Sequence, residues 1–193
     1  RIPLASAISA FFVAPIIAMV LAVLFLGEAL TVRKIISLML GFIGALIILR
    51  PSASMDPGIV LAISAGGFFG MYMIATRQAS LESDPVKTLA FQCLVGVALL
   101  TPQALWKWSI PAAGELWLFV AMGTMSAACH FLSIVAFRYG QASILAPLVY
   151  LELLGGAAIG FLVFGDVPDA YVWIGALTII VGGSMTLQRS RPM

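Results

Sequence analysis

Glu152 is a carboxylate near the middle of the apolar run "ILAPLVYLELLGGAAIGFLVFGD", which extends from Ile144 to Asp166. An ionised side chain at the centre of a membrane-spanning helix costs about 2.5 to 3.5 kcal/mol, which forces it toward the interior of a helix bundle or a water-filled cavity. Two interpretations follow. Glu152 is a protonatable or cation-pairing group that a substrate meets, or it is a neutral, desolvated carboxyl that hydrogen-bonds between helices and holds their packing.

His130 is the only histidine of the chain and lies in the apolar stretch "AACHFLSIVAFRYG". The short "RYGQAS" turn that follows predicts that this helix is the antiparallel neighbour of the helix with Glu152. Counted from that turn at about 1.5 Å per residue, the two side chains lie at nearly the same depth. The spacing is compatible with a Glu152–His130 pair, and a proton relay is the functional hypothesis for it. The alternative is a histidine that is satisfied by a backbone carbonyl.

Three further polar side chains, Tyr72, Gln92 and Tyr150, lie deep enough in apolar segments to line a cavity. Each has a packing alternative, in which it is hydrogen-bonded between helices. An enzyme is not indicated, because Ser126 and His130 share a helix face without the third group that would orient a nucleophile and its base. The sequence contains no phosphate loop or metal-ligand set, so we expect no catalysis, no metal and no cofactor.

Composition decides which elements carry these residues. The 193-residue chain is 62% hydrophobic and 9% charged, with a mean hydropathy of +1.13, far outside the range of soluble globular domains. We therefore predict a protein of the lipid bilayer, with no nucleic-acid partner. Seven apolar segments approach the roughly 20 residues that cross a bilayer: Ala5 to Leu26, Ile35 to Leu49, Gly58 to Thr76, Thr88 to Leu105, Leu116 to Phe137, Ile144 to Phe164 and Tyr171 to Leu187.

These segments predict an all-α polytopic membrane protein with a bundle of seven transmembrane helices. Strands are excluded, because backbone groups in lipid must be hydrogen-bonded within each segment. The stretches between the segments hold the Pro, Gly, Ser and charged residues that are typical of turns. Pro15, in the middle of the first segment, should kink its helix and free a backbone carbonyl.

The basic residues orient the bundle. If the "GEALTVRK" loop faces the cytoplasm, that side receives most of the Lys and Arg side chains, as the positive-inside rule requires: Arg33, Lys34, Arg77, Lys87, Arg138, Arg189 and Arg191. The same orientation groups five aromatic residues at the opposite interface: Trp106, Trp108, Trp117, Tyr171 and Trp173. We predict a cytoplasmic C-terminus and a location in the plasma (inner) membrane.

The chain contains an internal repeat. An ungapped alignment of "FLGEALTVRKIISLMLGFIGALII" with "VFGDVPDAYVWIGALTIIVGGSMT" matches Gly27-Glu28 with Gly165-Asp166, Ser37 with Gly175, and Gly44 with Gly182. The matched helices are separated by an odd number of spans, so the two copies must face opposite ways across the membrane. An inverted repeat of five helices would place three more helices before the first one here.

The repeat assigns structural roles to several residues. The acid after each glycine, Glu28 or Asp166, is expected to cap the N-terminus of the helix that follows, with a gating or substrate role as the alternative. Small residues that recur at helical spacing predict close helix packing: Gly44, Gly156, Gly160 and Gly182.

With these residues in view, the sequence resembles the EamA-like ten-helix permeases of the drug/metabolite transporter superfamily. The resemblance rests on "GEALTVRK…GFIGALIILRP" in the first copy and on "SILAPLVYLELLGGAAIGFLVFGDVPDAYVWIGALTIIVGG" in the second. It implies two five-helix repeats, cytoplasmic termini and a central cavity that opens alternately to each side. It also implies a small-molecule substrate such as an amino acid, an amine, a cofactor or a drug.

The resemblance divides the chain into three parts. Residues 1–50 are the last two helices of a first repeat, residues 57–187 are a complete five-helix second repeat, and residues 188–193 are a cytoplasmic tail. The chain is thus expected to be an N-terminally truncated member. The implied function is secondary transport of a small metabolite by alternating access, with proton or ion coupling as an open alternative. The competing hypothesis is a membrane partner or scaffold that does not transport.

Overall fold

The computed structural model describes residues 3–51, 57–108 and 112–187. Within these ranges the chain is helical with short connections, and no described residue lies in a β-strand. The predicted all-α class is therefore confirmed. The α-helices are α1 (Leu4–Phe11), α2 (Ala14–Leu26), α3 (Val32–Leu49), α4 (Pro57–Glu82), α5 (Pro85–Trp106), α6 (Leu116–Tyr139), α7 (Ala142–Leu145), α8 (Glu152–Ile159) and α9 (Ala170–Leu187).

Among the described residues, six helical stretches are long and apolar enough to cross a membrane: Leu4–Leu26, Val32–Leu49, Pro57–Glu82, Pro85–Trp106, Leu116–Tyr139 and Ala142–Phe164. A shorter apolar helix, Ala170–Thr186, follows them and corresponds to the seventh predicted span. Many large apolar side chains of these helices are exposed. Lipid tails are as apolar as these side chains, so their exposure is compatible with a membrane. The predicted tail, 188–193, lies outside the described residues.

The first span is interrupted where the proline predicts it. α1 and α2 meet at two non-helical residues, Phe12 and Val13, and Pro15 lies in the first turn of α2. The backbone N–H of Ile16 donates to Val13 O, so it does not continue an α-helical ladder to Phe12 O. The Phe12 carbonyl is free to accept a hydrogen bond from the Tyr150 hydroxyl, at 3.0 Å.

The span Ala142–Phe164 is also irregular. After α7, the segment Ala146–Leu151 tightens into a 3₁₀ helix that contains Pro147, and after α8 the segment Gly160–Phe164 widens into a π-helical turn. Proline lacks the N–H that a continuous α-helix needs. α8, which begins at Glu152, is therefore a short α-helical piece between two irregular turns.

The chain divides into two compact units. Unit 1 comprises Arg1–Ala75 and Gln141–Met193, and unit 2 comprises Thr76–Gly140. In unit 1, side chains from the first helices, from α3, from α9 and from the 3₁₀ helix form a buried core: Phe12, Met19, Leu38, Ala45, Tyr150 and Ile179. Burial of this core holds the separate stretches of unit 1 together, because they are distant in sequence.

Unit 2 contains the last turns of α4 together with α5 and α6, which pack against each other. The guanidinium of Arg77 donates to the carbonyl of Phe137, and Arg138 Nη1 donates to Ser83 O at 3.3 Å. The last carbonyls of a helix have no acceptor role within it, so they are available to such donors. These bonds tie the end of α4 to the end of α6.

α3 and α9 cross at close range in unit 1. Ser37 Oγ donates to Gly182 O at 2.5 Å, and a Cβ added at Gly44 would lie 2.7 Å from Gly175 O. Residue numbers rise along α3 and fall along α9 at these contacts, so the two helices run antiparallel. The contacts also join the two copies of the repeat crosswise. Ser37 contacts Gly182, which the alignment matches with Gly44. Gly44 contacts Gly175, which the alignment matches with Ser37. A twofold axis between two copies produces this exchange.

Candidate functional site

The two Gly–acid turns of unit 1 have the same backbone conformation. Gly27 and Gly165 both have a positive φ, 62° and 74°, which a residue with a Cβ adopts only with strain. In each turn the N–H of the acid donates to a carbonyl in the last turns of the preceding helix, at 3.2 Å in both copies: Glu28 N to Ala22 O, and Asp166 N to Gly160 O. The matched sequences therefore fold into matched turns.

The caps of the following helices are supplied by other residues. Thr31 Oγ1 accepts from the third N–H of α3 at 3.4 Å, and Asp169 Oδ1 accepts from the third N–H of α9 at 3.0 Å. An N-cap side chain stands directly before the first helical residue, where its oxygen reaches these donors. Glu28 and Asp166 stand farther from the helix start. The prediction that they cap the following helix is wrong for this reason.

Glu28 instead bonds to a helix that is distant in sequence. Its carboxylate accepts from the backbone N–H groups of Ala142 and Ser143, both at 2.8 Å, and from the Ser143 hydroxyl at 2.5 Å. These residues begin α7, so their N–H groups have no acceptor within that helix. Glu28 is only 9% exposed, which makes these charge-assisted bonds poorly accessible to competing water. They tie the α2–α3 turn to the start of α7.

Lys34 completes this arrangement. Its Nζ donates to Ala29 O, Gln141 Oε1 and Ser143 Oγ, each at 2.8 Å, so all three ammonium protons have an acceptor. The Ser143 hydroxyl accepts from Lys34 and donates to Glu28, and it thus bridges the two charged groups. We refer to Glu28, Lys34, Gln141 and Ser143 as the turn cluster.

Sequence reasoning did not assign Lys34, Gln141 and Ser143 to a site. The signal for Lys34 was available, because it begins the buried stripe of α3, whose members recur at helical spacing: Lys34, Ser37, Leu38, Gly41, Gly44 and Ala45. Lys34 lies three residues before Ser37, so the two side chains share the face of α3 that packs against α9. Gln141 and Ser143 offered no such signal, since polar residues in a short connection are typical of any turn.

Tyr150 lies in the core of unit 1. It is fully buried, its ring centroid is 5.4 Å from that of Phe12, and a Cβ added at Gly41 would come within 2.3 Å of its ring. The alignment that matches the two turns also matches Phe12 with Tyr150, so this contact joins one position to its own counterpart. These contacts give Tyr150 a packing role, and a role in a substrate path stays a prediction.

Glu152 is exposed at the start of α8, on a face that also carries the exposed Gly155 and Gly156. A Cβ added at either glycine would meet nothing within 4 Å, and one added at Gly160 would meet Asp166 Oδ2 at 3.9 Å. Among the described residues, no other helix therefore packs on this face, and the packing role of Gly156 and Gly160 stays a prediction. The apolar helix presents its carboxylate on its open side.

An apolar groove of about 520 Å³ lies between α8 and α9. Its lining side chains are all apolar: Leu154, Ala157, Ala158, Phe161, Val167, Pro168, Val172, Trp173, Ala176 and Ile180. A second groove of about 330 Å³ shares part of this wall and includes Asp166 and Asp169. The larger groove has the volume of a small-molecule site, but its side chains contain almost no polar group that would orient a polar ligand.

The remaining predicted residues are divided between the units. Tyr72, in unit 1, stacks on Phe69 with 5.8 Å between the ring centroids. In unit 2, Gln92 Nε2 donates to a threonine hydroxyl of α4 at 3.0 Å, and His130 is exposed on α6. His130 and Glu152 belong to different units, so their pairing stays a prediction.

A second polar group lies at the other end of the α3–α9 pair. Arg50, directly after α3, forms an ion pair with Asp169 and stacks over the Tyr171 ring, with 3.9 Å from its Cζ to the ring centroid. The hydrogen bond from Arg50 holds the pKa of Asp169 below its ordinary value, because it favours the charged carboxylate. Both side chains are about half exposed, so solvent screens the pair.

Within the part of the chain that the structure describes, no three His, Cys, Asp or Glu side chains are grouped so that they could hold a metal ion. In unit 1, charged side chains form the hydrogen bonds of the turn cluster and the Arg50–Asp169 ion pair, and Glu152 is exposed.

Comparison with known proteins gives consistent matches. The model of the EamA-like transporter family matches residues 1–50 and 56–188. The "S-adenosylmethionine uptake transporter" of Rickettsia felis is 28% identical over 179 residues, and the "Riboflavin transporter" of Vibrio cholerae is 26% identical over 189 residues. These alignments cover 92% and 97% of this chain, but 61% and 63% of the relatives. The chain thus spans about three-fifths of their length.

A solved crystal structure shares the fold. It superimposes with a TM-score of 0.84 over 95% of this chain and 67% of the other chain, at 18% sequence identity. At this identity the similarity establishes the helical architecture alone.

Proposed function

Because the chain belongs to the EamA-like transporter family, we propose that the protein carries a small metabolite across a membrane by secondary transport with alternating access. The observation that carries this proposal is the crosswise contact of α3 and α9, in which matched positions exchange partners. An inverted repeat supplies two related conformations, one open to each side of the membrane.

The proposed organisation follows the repeat. Residues 1–50 would supply the last two helices of a first repeat, residues 57–187 the five helices of a second, and 188–193 a cytoplasmic tail. The Glu28 turn would face the cytoplasm of an inner membrane, because the basic side chains Arg33 and Lys34 follow it, whereas no basic residue follows Asp166 in its turn.

The proposed substrate is a small water-soluble metabolite with a heteroaromatic ring and a positive charge. The relatives are named for S-adenosylmethionine and riboflavin, which both have such rings. Glu152 adds the charge preference, because an exposed carboxylate on an apolar membrane helix attracts a cation that can replace its lost hydration. Proton coupling through Glu152 and His130 is the alternative use of the same carboxylate.

Flux measurements in proteoliposomes test the proposal. The protein expressed from its full coding sequence is reconstituted, and uptake of labelled S-adenosylmethionine and riboflavin is measured with and without a proton gradient. Saturable uptake of either compound is expected. Absence of saturable flux for both compounds and for other cationic metabolites would contradict a carrier function.

The role of Glu152 is tested with a matched pair of ligands. S-Adenosylhomocysteine lacks the methyl group on sulfur, and with it the positive charge of the sulfonium, but it is otherwise the same molecule as S-adenosylmethionine. We expect Glu152→Gln to lose the preference for the sulfonium ligand by about tenfold, which corresponds to about 1.4 kcal/mol of lost attraction between the carboxylate and the sulfonium. Riboflavin should inhibit the uptake of labelled S-adenosylmethionine equally well in the parent protein and in Glu152→Gln. An unchanged preference would remove Glu152 from the substrate path.

A further inference from the structure

The turn cluster has a matched location at the other end of unit 1, where the corresponding bonds are not formed. Asp166 matches Glu28, and Leu4 and Ala5 match the two α7 residues whose N–H groups Glu28 binds. Asp166 is exposed, and its carboxylate accepts no hydrogen bond from the residues that the structure describes. One matched acid is therefore tied to a helix start and the other is not.

The turns themselves do not cause this difference. Gly27 and Gly165 have the same left-handed conformation, and the N–H of each following acid closes the same backbone loop at 3.2 Å. The difference lies in what the two acid side chains bind. Glu28 accepts from the start of α7, whereas Asp166, which is one methylene shorter, accepts from no described helix start.

The start of α1 is equipped to receive Asp166. The first N–H groups of a helix have no acceptor within it, and Pro3, which precedes α1, makes no side-chain cap. At the start of α7 the same need is met by the buried carboxylate of Glu28. Among the described residues, little packs against Leu4, which is largely exposed.

We propose that Glu28 and Asp166 are alternating latches, of which the structure shows the first one closed. In the other conformation, Glu28 releases the start of α7 and Asp166 accepts from the backbone N–H groups that begin α1. This inference rests on the proposed alternating access, in which the two ends of the repeat pair close in turn. Each carboxylate is then bound by backbone N–H groups when its end of the repeat pair is closed, and by water when that end is open.

The two latches are unequal in strength. Three polar members of the turn cluster assist Glu28, whereas their matched positions hold side chains that cannot donate a hydrogen bond: Val172 for Lys34, Pro3 for Gln141 and Ala5 for Ser143. The conformation with Glu28 bound is therefore favoured in the absence of substrate, and Asp166 forms a weaker, transient latch.

Cysteine cross-linking across the Asp166 end measures this equilibrium. Leu4→Cys and Val167→Cys, both at exposed positions, are introduced into a protein in which Cys93 and Cys129 are replaced by Ala. The rate of cross-linking by a short bifunctional maleimide is then measured in membrane vesicles without added substrate. This rate reports how often the start of α1 meets the Asp166 turn.

Removal of the Glu28 latch and removal of the Asp166 latch should change the cross-linking rate in opposite directions. Glu28→Gln should raise it by at least about tenfold, because the neutral amide weakens the three charge-assisted bonds that hold the competing conformation. Asp166→Asn should lower it below that of the parent protein. Glu82→Gln, which removes an exposed acid at the end of α4, should leave it unchanged. Shifts in the same direction, or no shift in either variant, would overturn the latches.

Ser143→Ala provides a second test of the Glu28 latch in case Glu28→Gln does not fold. It removes the bridging hydroxyl but keeps both backbone bonds to Glu28, so it should raise the rate by a smaller factor. If it leaves the rate unchanged in protein that is extracted as a monodisperse species, the latch is rejected. Cross-linking needs no substrate, so opposite shifts without any flux would contradict the carrier function alone. Saturable flux without these shifts would contradict the latches alone.

Discussion

The α3–α9 crossing and the outer face of α8 are both rich in glycine at helical spacing, yet the structure uses them differently. At the crossing, Gly44 approaches the Gly175 carbonyl so closely that no Cβ fits. On α8, Gly155 and Gly156 face open space among the described residues, beside an exposed carboxylate. Small residues permit close helix approach but do not cause it, because a partner helix must also be present.

The comparison also shows where the chain departs from its own symmetry. Under the alignment of the two copies, Glu152 stands where the first copy has Ala14, which is fully buried. The first copy packs this position, since a Cβ added at Gly70 of α4 would lie only 2.9 Å from Ala14 O. The second copy leaves it open and places a charge there. Architecture alone therefore does not require a carboxylate at position 152.

The largest expected effect comes from adding a methyl group at the crossing. Gly44→Ala places a Cβ 2.7 Å from a backbone oxygen that cannot move without shifting α9. We expect a loss of about 1 to 3 kcal/mol, as for other overpacked cores. Thermal unfolding of the detergent-solubilised protein should show a midpoint lower by several degrees, at roughly 2 to 4 °C per kcal/mol for this chain length.

Gly156→Ala is the matched control on α8. Its Cβ meets nothing within 4 Å among the described residues, and Ala stabilises a helix by about 0.5 to 1 kcal/mol over Gly. The midpoint should stay the same or rise slightly. A fall as large as that of Gly44→Ala would contradict the difference between the two faces, because it would show that another helix covers α8 in the folded protein.

The next effect concerns the residue that packs beside the crossing. Tyr150→Phe keeps the ring over Gly41 and removes the hydroxyl that bonds to Phe12 O. We expect a loss of about 1 kcal/mol, since one buried hydrogen bond disappears while the packing is retained. Tyr139→Phe, at an exposed position at the end of α6, is the control and should have no effect. Equal unfolding midpoints for the parent, Tyr150→Phe and Tyr139→Phe would show that the hydrogen bond from the Tyr150 hydroxyl to Phe12 O does not stabilise the protein.

The smallest effect is expected at the Arg50–Asp169 pair, which joins the end of α3 to the start of α9. Asp169→Asn keeps an N-cap side chain for α9 but removes the charge that Arg50 binds. The pKa of Asp169 is lowered in the folded state. Its stabilisation is therefore present above the ordinary pKa of about 3.9 and is lost as the pH falls through the lowered value.

Unfolding of the parent and of Asp169→Asn as a function of pH checks this sign. The variant should be slightly less stable at neutral pH. The two midpoints should begin to converge below about pH 4 and should meet only when the pH falls below the lowered pKa of Asp169, where the folded parent carboxyl becomes protonated. Added salt should reduce the neutral-pH difference, because the pair is exposed. A difference that persists unchanged at low pH and high salt would assign the effect to helix capping.

The helical class, the approximate positions of the apolar spans, the break near Pro15 and the two matched Gly–acid turns could be predicted from the sequence alone. The exact span limits could not, because the helix predicted over Gly58 to Thr76 extends to Glu82. These features depend on local properties: apolar length, the missing N–H of proline, and the positive φ that glycine adopts without strain. Periodicity and the repeat also indicated that Gly44 and Gly182 lie on a packed face. The family resemblance followed from the same ordered residues.

Which polar and aromatic groups contact each other could be seen only in the folded protein. It joined Glu28 to the start of α7 instead of the helix that follows it, brought Lys34 and Ser143 into the same cluster, and buried Tyr150 on Gly41. It left Glu152 exposed at a position whose match is buried. Such choices depend on contacts between residues far apart in the chain, where several partners satisfy the same donor or carboxylate equally well and only packing selects one.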